Sequence, residues 1–284
     1  MFHLNITAGQ ARGEVISKAV VKEIRDLSRT VKKVDLEIKD PRFTFKAGQW
    51  VDFFIPDVEV VGGFSICSAP KLLKDKRLIE LAIKRSPHPP VVWIHEKCQI
   101  GSEVDVRAGG DFFYDPQPGD PPVDLLLLAG GVGINPLRSM FIHDADLARE
   151  FKENGSGYCP GSAELLYSAK TVDELLFKDD FLAAAMEPNF NCTLFSSQSM
   201  QMALYGTGAC IQPGRITDLD ILTTITGEKA VLHKDRLLCY ICGPRAMVNS
   251  LVPALENCGV PKDKIVYEAW TNTPPKTPAA PVPN

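Results

Sequence analysis

Three glycines in four residues, Gly130-Gly131-Val132-Gly133, stand directly after an apolar run and lead into Ile134-Asn135-Pro136. Glycines let the main chain turn sharply and approach a bulky anion. A helix opening at Asn135-Pro136, with Asn as N-cap, would aim unpaired N–H groups and a positive dipole end at a pyrophosphate. A plain tight strand–helix turn is the alternative, and the glycine density favours phosphate binding over it. Pro136 occupies the place of the third glycine of G-x-G-x-x-G, so this is not the Rossmann fingerprint. Cys242-Gly243-Pro244 follows another strand-like run at the same expected sheet edge. A thiol there lies either beside a nicotinamide ring or in the core. Tyr167-Ser168-Ala169-Lys170 ends the run expected to face an adenosine ribose, and it holds no acid to bond a 2′-hydroxyl. Ser168 and Lys170 either receive a 2′-phosphate or are solvated, which leaves NAD and NADP both open. In the first half, Gly62-Gly63-Phe64-Ser65-Ile66-Cys67-Ser68-Ala69-Pro70 is a small-residue run around one aromatic. A flat ring could stack on Phe64 while Ser65 bonds its polar edge; an ordinary loop has the same composition.

Other chemistries find no support. The eight cysteines are sparse for a disulfide scaffold in 284 residues. The pair Cys239-Tyr240-Ile241-Cys242 lies in a strand-like run, where residues three apart point to opposite faces, and it has no second pair for zinc. No metal site and no iron–sulfur spacing are expected. With 31 Lys and Arg against 35 Asp and Glu, and no long basic run, the chain is a poor nucleic-acid partner. No apolar stretch approaches a membrane span, and no secretory signal is visible.

The elements that must position these residues fall into two grammars. Val15 to Ile24, Val31 to Ile38, Trp50 to Ile55 and Leu78 to Ile83 read as strands separated by turn signals, which predicts a small antiparallel barrel. Asp115 to Pro122 holds four prolines and a glycine and reads as a linker. Beyond it, strands at Val123 to Ala129, Leu165 to Ala169, Cys192 to Phe195, Leu237 to Ile241 and Lys264 to Trp270 alternate with helices. Those helices open at Asn135-Pro136, at a Thr171-Val172-Asp173-Glu174 capping box, at Thr217-Asp218-Leu219-Asp220 and after Gly243-Pro244. The pattern predicts a doubly wound parallel α/β sheet with its ligand at the strands' carboxyl ends. The expected domains are residues 13–118 (barrel) and 123–270 (α/β), with a disordered Pro-rich tail over 271–284.

Taken in order, Phe45-Lys46-Ala47-Gly48-Gln49-Trp50-Val51, Phe64-Ser65-Ile66-Cys67-Ser68, Gly130 to Pro136 and Cys242-Gly243-Pro244 resemble the ferredoxin–NADP reductase family over about residues 13–270. The resemblance implies a flavin-binding β-barrel joined to a nicotinamide-binding α/β domain and a mitochondrial location. It implies an NAD(P)H-dependent flavoprotein oxidoreductase that passes hydride to FAD and electrons on to an external acceptor, a protein or a small molecule. Carried over, Phe64 would stack on the isoalloxazine and Ser65 would bond near its N5, with Ile83 and Lys84 also expected to bind the cofactor. Gly130, Gly131, Val132, Gly133, Ile134 and Asn135 would form the pyrophosphate loop. Cys242, with Gly243 and Pro244, would lie by the nicotinamide, and Glu268 and Trp270 would approach the flavin. Ser65, Cys242 and Glu268 are the expected catalytic residues. The family's pyrophosphate-clamping arginine is replaced by Gly62, and its Gly-x-x-Ser turn falls on His88-Pro89-Pro90-Val91. FAD is then held weakly, rescued by Lys84, Arg85 or Arg107, or absent. In the last case the chain is an NAD(P)-binding sensor or scaffold.

Overall fold

The computed structural model describes residues 2–184, 189–198, 203–205, 209–228 and 230–270; the expected tail over 271–284 lies outside them. The first half contains α1 (Phe2–Ile6), β1 (Ser17–Asp26), β2 (Val31–Ile38), β3 (Trp50–Phe54), β4 (Gly62–Ser65), α2 (Pro70–Lys76), β5 (Leu78–Lys84), α3 (Pro89–Glu96) and β6 (Glu103–Gly109). Its strands form one antiparallel sheet in the order β4-β3-β6-β1-β2-β5. An Ile66–Leu81 bridge, with Cys67 N donating to the Glu80 carbonyl at 2.9 Å, ties the two ends of that sheet together. Alternating burial along β1 and β2 puts Ala19, Val21, Val34 and Leu36 inside with Phe53, Ile79 and Leu81.

The second half contains β7 (Asp124–Gly130), α4 (Ile134–Asn154), β8 (Ala163–Ala169), α5 (Lys178–Ala184), β9 (Phe190–Ser196), β10 (Ala203–Tyr205), β11 (Ala209–Pro213), α6 (Asp218–Thr226), β12 (Leu237–Pro244), α7 (Arg245–Asn257) and β13 (Ile265–Trp270). Its sheet runs β10-β11-β9-β8-β7-β12-β13, parallel throughout except for β10. The chain leaves β7 toward β8 on one side and later returns to β12 on the other. The switch point therefore falls at the carboxyl ends of β7 and β12, where such sheets bind ligands. Every residue of β7 is buried, as a central parallel strand covered on both faces requires. Cys239 and Cys242 point to opposite faces, into separate clusters.

Two helix starts differ from the sequence expectation. Helix α4 is entered through Gly133, and the Asn135 side chain does not cap it: its Nδ2 donates to the Ala82 carbonyl of β5 at 2.7 Å. Thr171 opens only a short 3₁₀ turn over Val172–Glu174. The Glu174 carboxylate that would complete a capping box instead accepts from Ser28 Oγ (2.9 Å) and Thr30 Oγ1 (2.7 Å) and pairs with Lys84 at 3.1 Å. Both capping groups are thus drawn across to the other half of the molecule. Thr217 and Asp220 do form a reciprocal capping box at α6. Among the described residues no helix is long and apolar enough to cross a membrane, and no three metal-ligating side chains converge.

Candidate functional site

The glycine loop sits at the switch point. Gly131 has φ +56° and open space where a side chain would be, a conformation L-residues adopt only at a cost. Gly133 lies so near β12 that a Cβ would overlap the Cys242 carbonyl. No side chain caps the start of α4, although Ile134 N already donates to the Gly131 and Val132 carbonyls and Pro136 has no N–H. Asn135 is buried, and its Oδ1 has no hydrogen-bond partner. The glycine loop at the switch point, open above Gly131, fits a dinucleotide pyrophosphate; Asn135 Oδ1, an acceptor, adds nothing to an anion site. Val132 and Ile134 close the loop, with Ile134 in the core.

Beside it, Ala129 of β7, Cys242 of β12 and Glu268 of β13 stand in one register row. Paired residues of neighbouring parallel strands share a face, and Cys242 shares its core cluster with Ala47, Cys67, Ala82 and Phe112 of the barrel half. The row therefore faces the seam between the halves. Glu268 Oε2 is buried without a partner, and burial pushes its carboxyl up to about 7. In the unfolded chain the group ionises near an ordinary glutamate value, so from about pH 4.5 to 7 the folded state holds the extra proton and stability falls as pH rises. The stability difference between Glu268→Gln and the parent should be flat below that window and favour the variant by up to about 3 kcal/mol at pH 8. Urea melts across pH check this; a difference independent of pH would contradict the buried, unpaired carboxyl. Gly243 and Pro244 continue β12 against Gly130. Trp270 pairs with Pro244 in the backbone register, and its side chain lies outside the described ones.

On the barrel side, Ser65 is buried opposite Trp50 on β3. Phe64 is half-buried, its ring edge-on to Phe53 at 5.4 Å. Ile83 is in the barrel core, with its carbonyl 3.0 Å from His95 Nε2. Lys84 points away to Glu174. At the end of β8, Ser168 pairs with Gly130, and Lys170 is exposed with its carbonyl accepting from Gln198 N at 2.9 Å. The glycine loop and the Cys242–Glu268 row are therefore together, whereas Lys84 is committed elsewhere.

Residues 127–252 match the family model described as "Oxidoreductase NAD-binding domain". Over 270 residues the chain is 47% identical to oxidoreductase NAD-binding domain-containing protein 1 of Xenopus tropicalis, covering 94% of this chain and 83% of that one. The chain belongs to the oxidoreductase NAD-binding domain-containing protein 1 family. The family's fold, as this member shows it, is ferredoxin reductase-like. The cytochrome P450 reductase GcoB of Amycolatopsis superposes with a TM-score of 0.69 at 22% identity, covering 90% of this chain and 69% of that one. The flavohem-like FAD/NAD binding domain of Vibrio cholerae nitric oxide dioxygenase superposes with a TM-score of 0.68 at 19% identity, covering 89% and 98%.

In this family member the place for a flavin diphosphate does not fit one. A Cβ at Gly62 would stand 2.7 Å from Phe64 Cε2 and 3.1 Å from Pro90 Cβ, so an aromatic ring and a proline fill the space of the clamping arginine. Helix α3, the turn that would share the phosphate, begins Pro89-Pro90 and lacks N–H groups at its first two positions. Of the rescuing cations, Lys84 is held by Glu174 and Arg107 by Asp52 at 2.7 Å.

Two polar clusters of this member escaped the sequence reading. Asp52 is fully buried between His3 (2.9 Å), Arg12 (3.0 Å) and Arg107; burial opposes its charge, yet these partners hold it down to about 2. Residues before 13 therefore pack onto the barrel, with Trp50 Nε1 donating to Gln10 Oε1 at 3.1 Å. Arg138 of α4 donates to the Cys67 carbonyl (2.7 Å) and pairs with Glu80 (2.8 Å) and Asp180 (2.7 Å). Its place three residues after Asn135, on the same helix face, was the available signal.

Proposed function

We propose that the chain is an NAD(P)H-dependent oxidoreductase working at the carboxyl ends of β7, β12 and β13, on the face turned to the barrel. The observation that carries this is the Cys242–Glu268 row beside the glycine loop: a thiol next to a buried carboxyl with one orphaned oxygen and a raised pKa. Gly130 to Gly133 and the start of α4 hold the pyrophosphate, and the buried Asn135 ties that helix to the Ala82 carbonyl. Ser168 and Lys170 take the adenosine side, where no carboxylate opposes a 2′-phosphate. Cys242, Gly243 and Pro244 back the nicotinamide, and Trp270 closes that edge. Bound NAD(P)H supplies a hydride. Glu268, its carboxyl raised to about 7, is in part protonated at neutral pH and can hold a proton at a carboxyl oxygen for the group being reduced. Phe64 and Ser65 receive the acceptor, and the Ala47, Cys67 and Phe112 cluster keeps water out. Mitochondrial residence belongs to the same reading, and imaging of the tagged chain tests it.

The test is oxidation of NADH and NADPH at 340 nm under anaerobic conditions, with added flavin or ferricyanide as acceptor. One nucleotide should be consumed in step with acceptor. Glu268→Gln should lower kcat at pH 7 by about tenfold or more with nucleotide affinity unchanged. Tight nucleotide binding with no oxidation under any acceptor would instead support a nucleotide-binding sensor or scaffold, a reading favoured by the Gly62–Phe64–Pro90 packing.

A further inference from the structure

The flavin-facing end of the barrel keeps what recognises a ring and has replaced what recognises a diphosphate. Phe64 is half-buried, and Ser65, itself buried, follows it on the same strand. The Phe64 ring and Pro90 Cβ both border the space over Gly62 that an anion-binding arginine would need. Helix α3 opens on His88, whose side chain caps nothing, and then on two prolines. A helix start binds anions through its free N–H groups, and the first two are missing here. Burial pushes the His88 imidazole below its usual range, so that side chain brings no charge at neutral pH. Lys84 and Arg107 are paired with Glu174 and Asp52, and Arg85 has Glu96 at 4.0 Å. An anion arriving here meets apolar atoms, two engaged cations and an exposed Arg85 that reaches Glu96 only at 4.0 Å.

We infer that this chain takes a flavin by its isoalloxazine ring alone, as an exchangeable ligand, with no preference for the diphosphate-bearing form. Phe64 and Pro90 are the residues that set this selectivity: the ring of one fills the phosphate space and the other removes a donor. The inference rests on the oxidoreductase reading, because it concerns the acceptor side of the same seam.

The test uses the full chain and titrates riboflavin, FMN and FAD by fluorescence at low and high salt, with NADH and NADPH titrated alongside. The three flavins should bind with dissociation constants within about threefold of one another and little salt dependence, since a charge-assisted phosphate contact would separate them by tenfold or more. FAD binding about tenfold or more tighter than riboflavin, or co-purifying with the chain, overturns the inference and leaves the oxidoreductase reading intact. No flavin binding while a nicotinamide nucleotide still binds also overturns it and turns the function toward a sensor. Failure of both nucleotides to bind sinks the oxidoreductase reading itself. The double variant Pro89→Ala/Pro90→Ala restores two N–H donors and should raise the FAD-to-riboflavin affinity ratio by about threefold or more. An unchanged ratio in the folded variant would remove α3 from the explanation.

Discussion

Gly133→Ala is expected to abolish nicotinamide-nucleotide binding and to lower stability by about 2–3 kcal/mol. The added Cβ would overlap the Cys242 carbonyl and stand 2.8 Å from the Gly243 nitrogen. All of these are main-chain atoms of β12, which is hydrogen-bonded to β7 on one side and β13 on the other. No side chain can swing away to make room, so the loop between β7 and α4 must lift off the sheet and take the anion cradle with it. Gly155→Ala is the control. Gly155 ends α4 at φ +65° with open space around it, so alanine there should cost about 1 kcal/mol through backbone strain and leave binding untouched. Thermal melts with parallel NADH and NADPH titrations separate the two; parental affinity in Gly133→Ala would show that the loop is not the nucleotide cradle.

Arg138→Met should be the most destabilising single change in the interior of the seam, by about 3–5 kcal/mol, with Tm falling on the order of 10 °C. The guanidinium sits among Glu80, Asp180, the Cys67 carbonyl and the Phe177 ring, its side chain 13% exposed. Burial opposes the Glu80 charge, and Arg138 with Lys33 holds that carboxyl below the ordinary range. Removing Arg138 strands the carboxylate on Lys33, which Asp35 also claims at 2.9 Å. The double variant Glu80→Gln/Arg138→Met deletes the stranded charge and should recover a large part of the loss. A single variant within about 1 kcal/mol of the parent would mean that the network is decorative.

The two-part architecture was legible because its signals are local. Alternation in β1 and β2, the proline-rich linker and the apolar run over residues 125–129 of β7 each announce themselves within ten residues. The glycine loop was legible for the same reason. What escaped was every decision made by a partner distant in sequence. Asn135 and Glu174 look like helix caps, and they serve Ala82 and Ser28 instead. Gly62-Gly63 opens a run that has the composition of a loop, but it is strand β4, because β3 offers Phe53 and Asp52 as backbone partners. The short stretch before residue 13 carries no periodicity, and its place depends on Asp52, a buried acid whose need for cations no local pattern reveals. Phe64 was legible as an aromatic beside a serine; that its ring and the distant Pro90 would both border the space over Gly62 was not.

The first two turns of α4 carry a kinetic consequence. Asn135 reaches the Ala82 carbonyl, Arg138 the Cys67 carbonyl and Ser139 the Ser68 carbonyl at 2.7 Å, all from the helix that also presents the glycine loop. Swinging the halves apart like a clamshell would sever these buried bonds together, so the resting molecule has no cheap hinge. Ligand traffic must pass through side-chain gaps at the rim of the seam. On the proposed function, the dwell time of an oxidised nucleotide would be set by loop breathing around Gly131, and turnover should track the viscosity of the medium far less than it would in an enzyme that opens by whole-domain motion.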